Sequence, residues 1–200
     1  MTAPPYVVAV SGISGAGKTS VVNRTADLLG GAARLFFDDY DSVSSYPPDL
    51  KAWLDAGADV DEWRTPRFSG DLRKLREGEA IHLPKDGRLV EPRPFIIIEE
   101  PFGKLRREMS GLIDLSAHVE VPPDVLLARR LLRRMGEESE QYGERLLDRL
   151  GQDLREHLTA GRDLDARGSA VLREAADVIL DGTLPVDEIA ATLVAKLRGR

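Results

Sequence analysis

Gly12-Ile13-Ser14-Gly15-Ala16-Gly17-Lys18-Thr19 satisfies the spacing GxxxxGK[ST] in full. Residues of those types in that order hold a phosphate chain. The glycines let the backbone approach an anion without a Cβ in the way. The N–H groups of the loop, and those opening a helix at Lys18, then point at the anion. Lys18 reaches the outer phosphates and the Thr19 hydroxyl is a magnesium ligand. The nucleotide contacts are therefore expected from Gly12, Ser14, Gly15, Ala16, Gly17, Lys18, Thr19 and Ser20.

Transfer of a phosphoryl group needs more than a cradle. It needs a divalent ion across the phosphates and a group that orients or deprotonates the acceptor. Asp38 closes the apolar run 33–37 and suits the acceptor task, and Glu99 follows three isoleucines where a carboxylate could face magnesium. Bland readings compete: a turn or cap for Asp38-Asp39, a solvated strand end for Glu99-Glu100. Arg129, Arg130, Arg133 and Arg134 recur at helical spacing and could clamp phosphates. Their competing role is a solvated face paired with Glu137 and Glu138. Trp63, beside Asp61, Glu62, Arg64 and Arg67, could stack on a flat substrate while carboxylates hold its hydroxyls, or could simply pack. His82, His118 and His157 show no metal or triad spacing.

These groups need strands that end together. Apolar runs at 6–10, 33–37, 94–98, 117–121 and 176–180 alternate with helical patterns, which predicts a five-stranded parallel sheet covered by helices. In such sheets ligands sit at the carboxyl ends of the strands, where the loop, Asp38 and Glu99 all fall. The 40–94 stretch is irregular: it holds both tryptophans, a helix expected over 71–77, and a hairpin of 80–83 and 89–90. Long segments of this kind bind substrates or act as lids. Helices are expected over 124–135 and 144–158 with a polar break at 136–143, and a last one over 186–197.

Two hundred residues at 42% hydrophobic content suit one domain with its own core. A net charge of −6 argues against general nucleic-acid binding. There is no cysteine, so disulfides and thiolate metal sites are excluded. No run approaches the ~20 apolar residues of a membrane span, and no leader pattern opens the chain, so a cytoplasmic protein is expected.

Several blocks, in order, resemble the uridine kinase and nicotinamide riboside kinase branch of P-loop kinases. They are AVSGISGAGKTSV, FFDDYD, TPRFSGDLRKLREGEAI, FIIIEEPFG, DVLLARRLLRRM and ADVILDGTLPVDEI. The resemblance implies an α/β P-loop NTPase fold with a lid near 129–162 and an acceptor-binding insertion at 40–94. It implies ATP and Mg²⁺, with Asp38 rather than Asp39 as base, Thr19 and Glu99 at the metal, and Arg130 and Arg133 on the migrating phosphoryl group. The family's ribose-holding Asp has no clean counterpart; Asp61 is the best candidate, with Tyr40, Trp63 and Arg67 as the other substrate-side residues. The chain departs from the pattern at Glu99-Glu100, where the family has Glu-Gly, and at its short hairpin and acidic 136–140 stretch. The expectation is an ATP-dependent kinase of a small-molecule hydroxyl, most simply a nucleoside. A sugar, vitamin-precursor or antibiotic kinase and a nucleotide-dependent switch remain open, as does a monomer or homodimer.

Overall fold

A strand needs an apolar side chain every second residue to cover one face of a sheet, and continuous apolar residues to cover both. The computed structural model, which describes residues 4–142 and 145–199, follows that rule. Strands β1 (Tyr6–Ser11), β2 (Ala33–Phe36), β5 (Phe95–Glu99), β6 (Leu115–Glu120) and β7 (Val178–Asp181) form one parallel sheet in the order β2-β5-β1-β6-β7. Val7, Ala9, Ile96 and Ile98 face one core; Val8, Val10 and Ile97 face the other. Each of these seven residues is completely buried. The first core takes Phe68, Leu72 and Leu75 of α3 (Pro66–Arg76). The second takes α1 (Lys18–Leu28) and α8 (Val186–Arg198), which pack side by side. From β1 the chain passes out to β2 on one side, and from β5 it crosses β1 to reach β6 on the other. That reversal opens a crevice at the carboxyl ends of the central strands.

All five expected strands are present, with ends displaced by up to two residues. Phe37 leaves β2 and opens a 3₁₀ turn over Phe37–Val43, which swings Asp38 off the strand axis. The insertion carries α2 (Leu50–Asp55), a 3₁₀ turn at Val60–Glu62, and the small hairpin of β3 (Ile81–His82) and β4 (Leu89–Val90). Helix α3 starts at Pro66, five residues before the expected 71, because a proline is at home in a first turn, where no N–H bond is lost. A four-residue helix α4 (Arg107–Ser110) follows β5.

The expected polar break at 136 is absent. Helix α5 runs Pro123–Tyr142 straight through Gly136, since one glycine costs a helix only about 1 kcal/mol. Gly143 and Glu144 lie outside the described residues, as do the side chains of Glu137 and Glu138. Helix α6 (Arg145–Glu156) passes through a π turn at His157–Gly161 into α7 (Arg162–Ala175), for which no helix was expected. The signal was present: Leu164, Val171, Leu172 and Ala175 recur at helical spacing along one face. Among the described residues no helix is long and apolar enough to cross a membrane.

Candidate active site

The loop between β1 and α1 has the geometry that its glycines allow. Gly15 and Gly17 lie at φ 91° and 92°, in the left-handed region that side chains disfavour. At Gly15 a Cβ would come within 3.1 Å of the Leu126 carbonyl oxygen, so the close fit of α5 behind the loop also requires glycine there. Arg129 and Arg130 of α5 donate to the loop from behind, to the carbonyls of Ala16 at 3.2 Å and Ser14 at 3.0 Å. Arg129 also reaches the Gly182 carbonyl at 2.8 Å, tying the loop to the end of β7.

Parallel register places Glu99 opposite Val10 on one side and Phe36 on the other, level with the start of the loop. There it accepts a 2.7 Å hydrogen bond from the Thr19 hydroxyl and stands 3.6 Å from Lys18 Nζ. Burial holds the Lys18 ammonium below its ordinary pKa, and the Glu99 carboxylate works against that shift. Lysine, threonine and glutamate thus converge on one point before any ligand arrives.

A cavity of about 1180 Å³ opens in front of them. It is lined on the phosphate side by Gly12, Ser14, Gly15, Gly17, Lys18, Thr19, Ser20, Glu99, Arg129 and Arg133, and Asp38 faces it from the end of β2. Arg133 is close enough for its charge to press on Lys18. Asp38 is exposed, whereas Asp39 is held by Lys85 at 3.1 Å. Beyond Asp38 the wall is aromatic: Trp63 lies 5.7 Å from Trp53 and 5.5 Å from Phe102, ring centre to ring centre.

Several expected site residues stand elsewhere. Tyr40 is fully buried, stacks on Phe68 at 4.7 Å and bonds Asp71 at 3.3 Å, so it belongs to the core. Burial raises its phenol far above the usual range. Arg67 turns back along its own helix to Asp71 at 2.9 Å. Asp61 is taken by the backbone N–H and the guanidinium of Arg107, both at 2.7 Å. Arg130 is paired with Asp165 behind the loop rather than in the cavity, and Ala16 is buried with its N–H bonded to Ile13 at 3.0 Å.

Sequence reasoning missed three parts of the site. Arg167, Gly168, Val171 and Leu172 of α7 line the cavity, as do Leu54, Val60 and Leu105. The aromatic clustering of the insertion was the available signal for the second group. Glu100 turns to the opposite side from Glu99 and pairs with Arg106, and both are completely buried. Burial pushes the Glu100 carboxyl upward, with Arg106 opposing. The same guanidinium donates to the Trp63 carbonyl, Thr65 and Glu108, and lies over the Phe37 and Phe102 rings. One buried cation therefore sets the aromatic wall against the strand that carries Glu99.

His118 lies beneath the loop, 3.5 Å from Ser11 Oγ and 2.9 Å from Ser169 Oγ of α7. Burial lowers its pKa from 6.5. The unfolded chain therefore binds this proton more readily, and the associated stability is intact above pH 6.5 and lost as pH falls through the folded value. Urea midpoints should drop between pH 7 and 5, with a shallower drop in His118→Gln; parallel slopes would remove His118 as the cause.

No family model matches the chain. A uridine kinase of Borrelia duttonii (strain Ly) is 30% identical over 141 residues, 64% of this chain and 67% of that protein. A uridine kinase of Listeria monocytogenes serotype 4a (strain HCC23) is 31% identical over 153 residues, 68% of this chain and 71% of that protein. In three dimensions, the crystal structure of a sugar kinase from Janibacter sp. HTCC2649 superimposes with a TM-score of 0.52 at 19% identity. That match covers 98% of this chain and 95% of the other. A glycine loop clamped to a strand-end glutamate, on this sheet and with these relatives, has one meaning: the chain belongs to the uridine kinase family, ATP-dependent P-loop enzymes that pass a phosphoryl group to an alcohol.

Proposed function

We propose that the acceptor is a nucleoside, phosphorylated on the primary hydroxyl of its sugar, and that Asp38 is the base. The observation carrying this reading is the opposition, across one cavity, of an uncommitted carboxylate and the Lys18–Thr19–Glu99 cluster, with a tryptophan wall beside them. The acceptor oxygen attacks the γ-phosphorus, its proton passes to Asp38, and the bond to the bridging oxygen breaks to release ADP. Lys18 and Arg133 offset the charge that develops on the outer oxygens.

Among the described residues no group of three or more His, Cys, Asp or Glu could hold a metal. Thr19 and Glu99 nevertheless fit Mg²⁺, which takes one or two protein oxygens and leaves its other positions to phosphates and water. Thr19 and Glu99 would hold the ion, whose positive charge would offset that of the phosphates. Trp63 supplies a flat face on which a base can stack.

The test is ADP release on addition of uridine to protein, ATP and Mg²⁺, with mass detection of the uridine product heavier by one phosphate. Lys18→Ala should lower kcat by about 10²–10³-fold, the loss typical when one preorganised electrostatic donor is removed. Retained turnover in that variant would detach Lys18 from the chemistry. ADP release with no phosphorylated uridine would sink the nucleoside reading.

A further inference from the structure

The resemblance implies two arginines on the migrating phosphoryl group, Arg130 and Arg133, but of these two the cavity is lined by Arg133 alone. Arg130 is spent behind the loop: its guanidinium pairs with Asp165 and donates to the Ser14 carbonyl at 3.0 Å. A second guanidinium enters the cavity from a different helix. Arg167 of α7 lines it together with Lys18, Thr19 and Glu99. Arg167 is exposed and, among the described residues, has no carboxylate partner.

The helix that carries it is fastened to the phosphate loop. Asp165 holds Arg130, and through it the Ser14 carbonyl. At Gly168 an added Cβ would meet Ile13 Cδ1 at 3.0 Å, so the two backbones are in close approach. Ser169 Oγ lies 2.9 Å from His118 Nε2, beneath the loop. Positions 165, 168 and 169 have the i, i+3, i+4 spacing of one helix face. Leu164, Arg167 and Val171 form the adjoining face, on the cavity, and Arg167 is its polar member.

Charge decides what such a group serves. The chain has a net charge of −6, yet its cavity is lined by Lys18, Arg129, Arg133 and Arg167 against Asp38 and Glu99. An uncharged alcohol needs no such excess. A triphosphate does, because a divalent ion offsets only part of its charge. A guanidinium without a partner is suited to paired, charge-assisted hydrogen bonds to phosphate oxygens.

We infer that Arg167 is a further catalytic residue: with Arg133 it binds the γ-phosphate oxygens of ATP, in the place that Arg130 has left. The inference rests on the reading of this cavity as the site of transfer, and is independent of which alcohol accepts. Arg167 makes and breaks no covalent bond. The acceptor oxygen bonds to the γ-phosphorus, the bridging bond breaks, and the proton passes to Asp38. Arg167 offsets the charge gathered on the outer oxygens. Held on a helix already packed against the loop, it meets that charge with little reorganisation.

The test is calorimetric titration of the full chain, in the presence of Mg²⁺, with ADP and with a non-hydrolysable ATP analogue. Arg167→Gln should weaken binding of the analogue by about tenfold or more and leave ADP within about twofold of wild type. Arg167→Lys should recover part of that loss, since it keeps the charge and loses the planar fork. Arg162→Gln, on the same helix but outside the cavity, should change neither affinity. In uridine-dependent ADP release, Arg167→Gln should lower kcat by about 10²–10³-fold. Equal losses toward ADP and the analogue, or no loss toward either, overturn the inference. So does an unchanged analogue affinity with a raised KM for uridine, which would make Arg167 an acceptor contact. If the wild-type chain does not turn over uridine, the nucleoside reading falls and the titrations still decide the role of Arg167. Failure of the wild-type chain to bind either nucleotide overturns both.

Discussion

Asp38→Asn should lower kcat by about 10²–10⁴-fold, the range that a positioned general base contributes, and should leave the KM for ATP nearly unchanged. Asparagine has the shape of aspartate but cannot take the acceptor's proton. The fold gives no reason for wider damage, because Asp38 is exposed in the first turn of the 3₁₀ segment. Rescue by its neighbour is blocked: Asp39 is paired with Lys85 at 3.1 Å, and its side chain is 12% exposed. Turnover near the wild-type level would show that Asp38 only lines the cavity.

Arg106→Met should destabilise the protein by about 3–5 kcal/mol, as expected when one partner of a buried ion pair is removed. The substitution strands the Glu100 carboxylate, which is 0% exposed, with only the Phe102 N–H at 3.3 Å for company. It also releases the Trp63 carbonyl and the Thr65 hydroxyl, so the aromatic wall should loosen and the acceptor KM rise more than kcat falls. Urea unfolding measures the first effect and initial rates the second. Glu100→Gln added to Arg106→Met should recover part of the lost stability, since the orphan is then a neutral amide. A loss below about 1 kcal/mol in the single variant would mean the pair is dispensable.

The two carboxylates at the end of β5 show how far reading the chain goes. Alternation along Ile96, Ile97, Ile98, Glu99 and Glu100 requires the last two to face opposite ways, but nothing local says which meets the phosphate loop. That is decided by register: Glu99 lies level with Val10 and so with the loop that follows it. The arginines of α5 pose the same problem. Their helix and its basic face are legible in the spacing, but only the structure shows that Arg129 and Arg133 line the cavity while Arg130 bonds the Ser14 carbonyl and pairs with Asp165. Asp61 was expected to hold substrate hydroxyls from its place beside Trp63 and from the family resemblance. Arg107, 46 residues away in the chain, takes it.

The loop, the strands and Asp38 at the end of the second strand were determined by the chain itself, because they rest on short-range rules: glycine conformation, lysine and threonine at fixed spacing, and apolar residues in unbroken runs. The acceptor wall was decided only by tertiary structure. Its residues come from α2, the turn after it, and the segment following β5, and each could equally have packed in a core. Whether a tryptophan faces a ligand or a leucine depends on which distant segments close around it, and that information is in no local pattern.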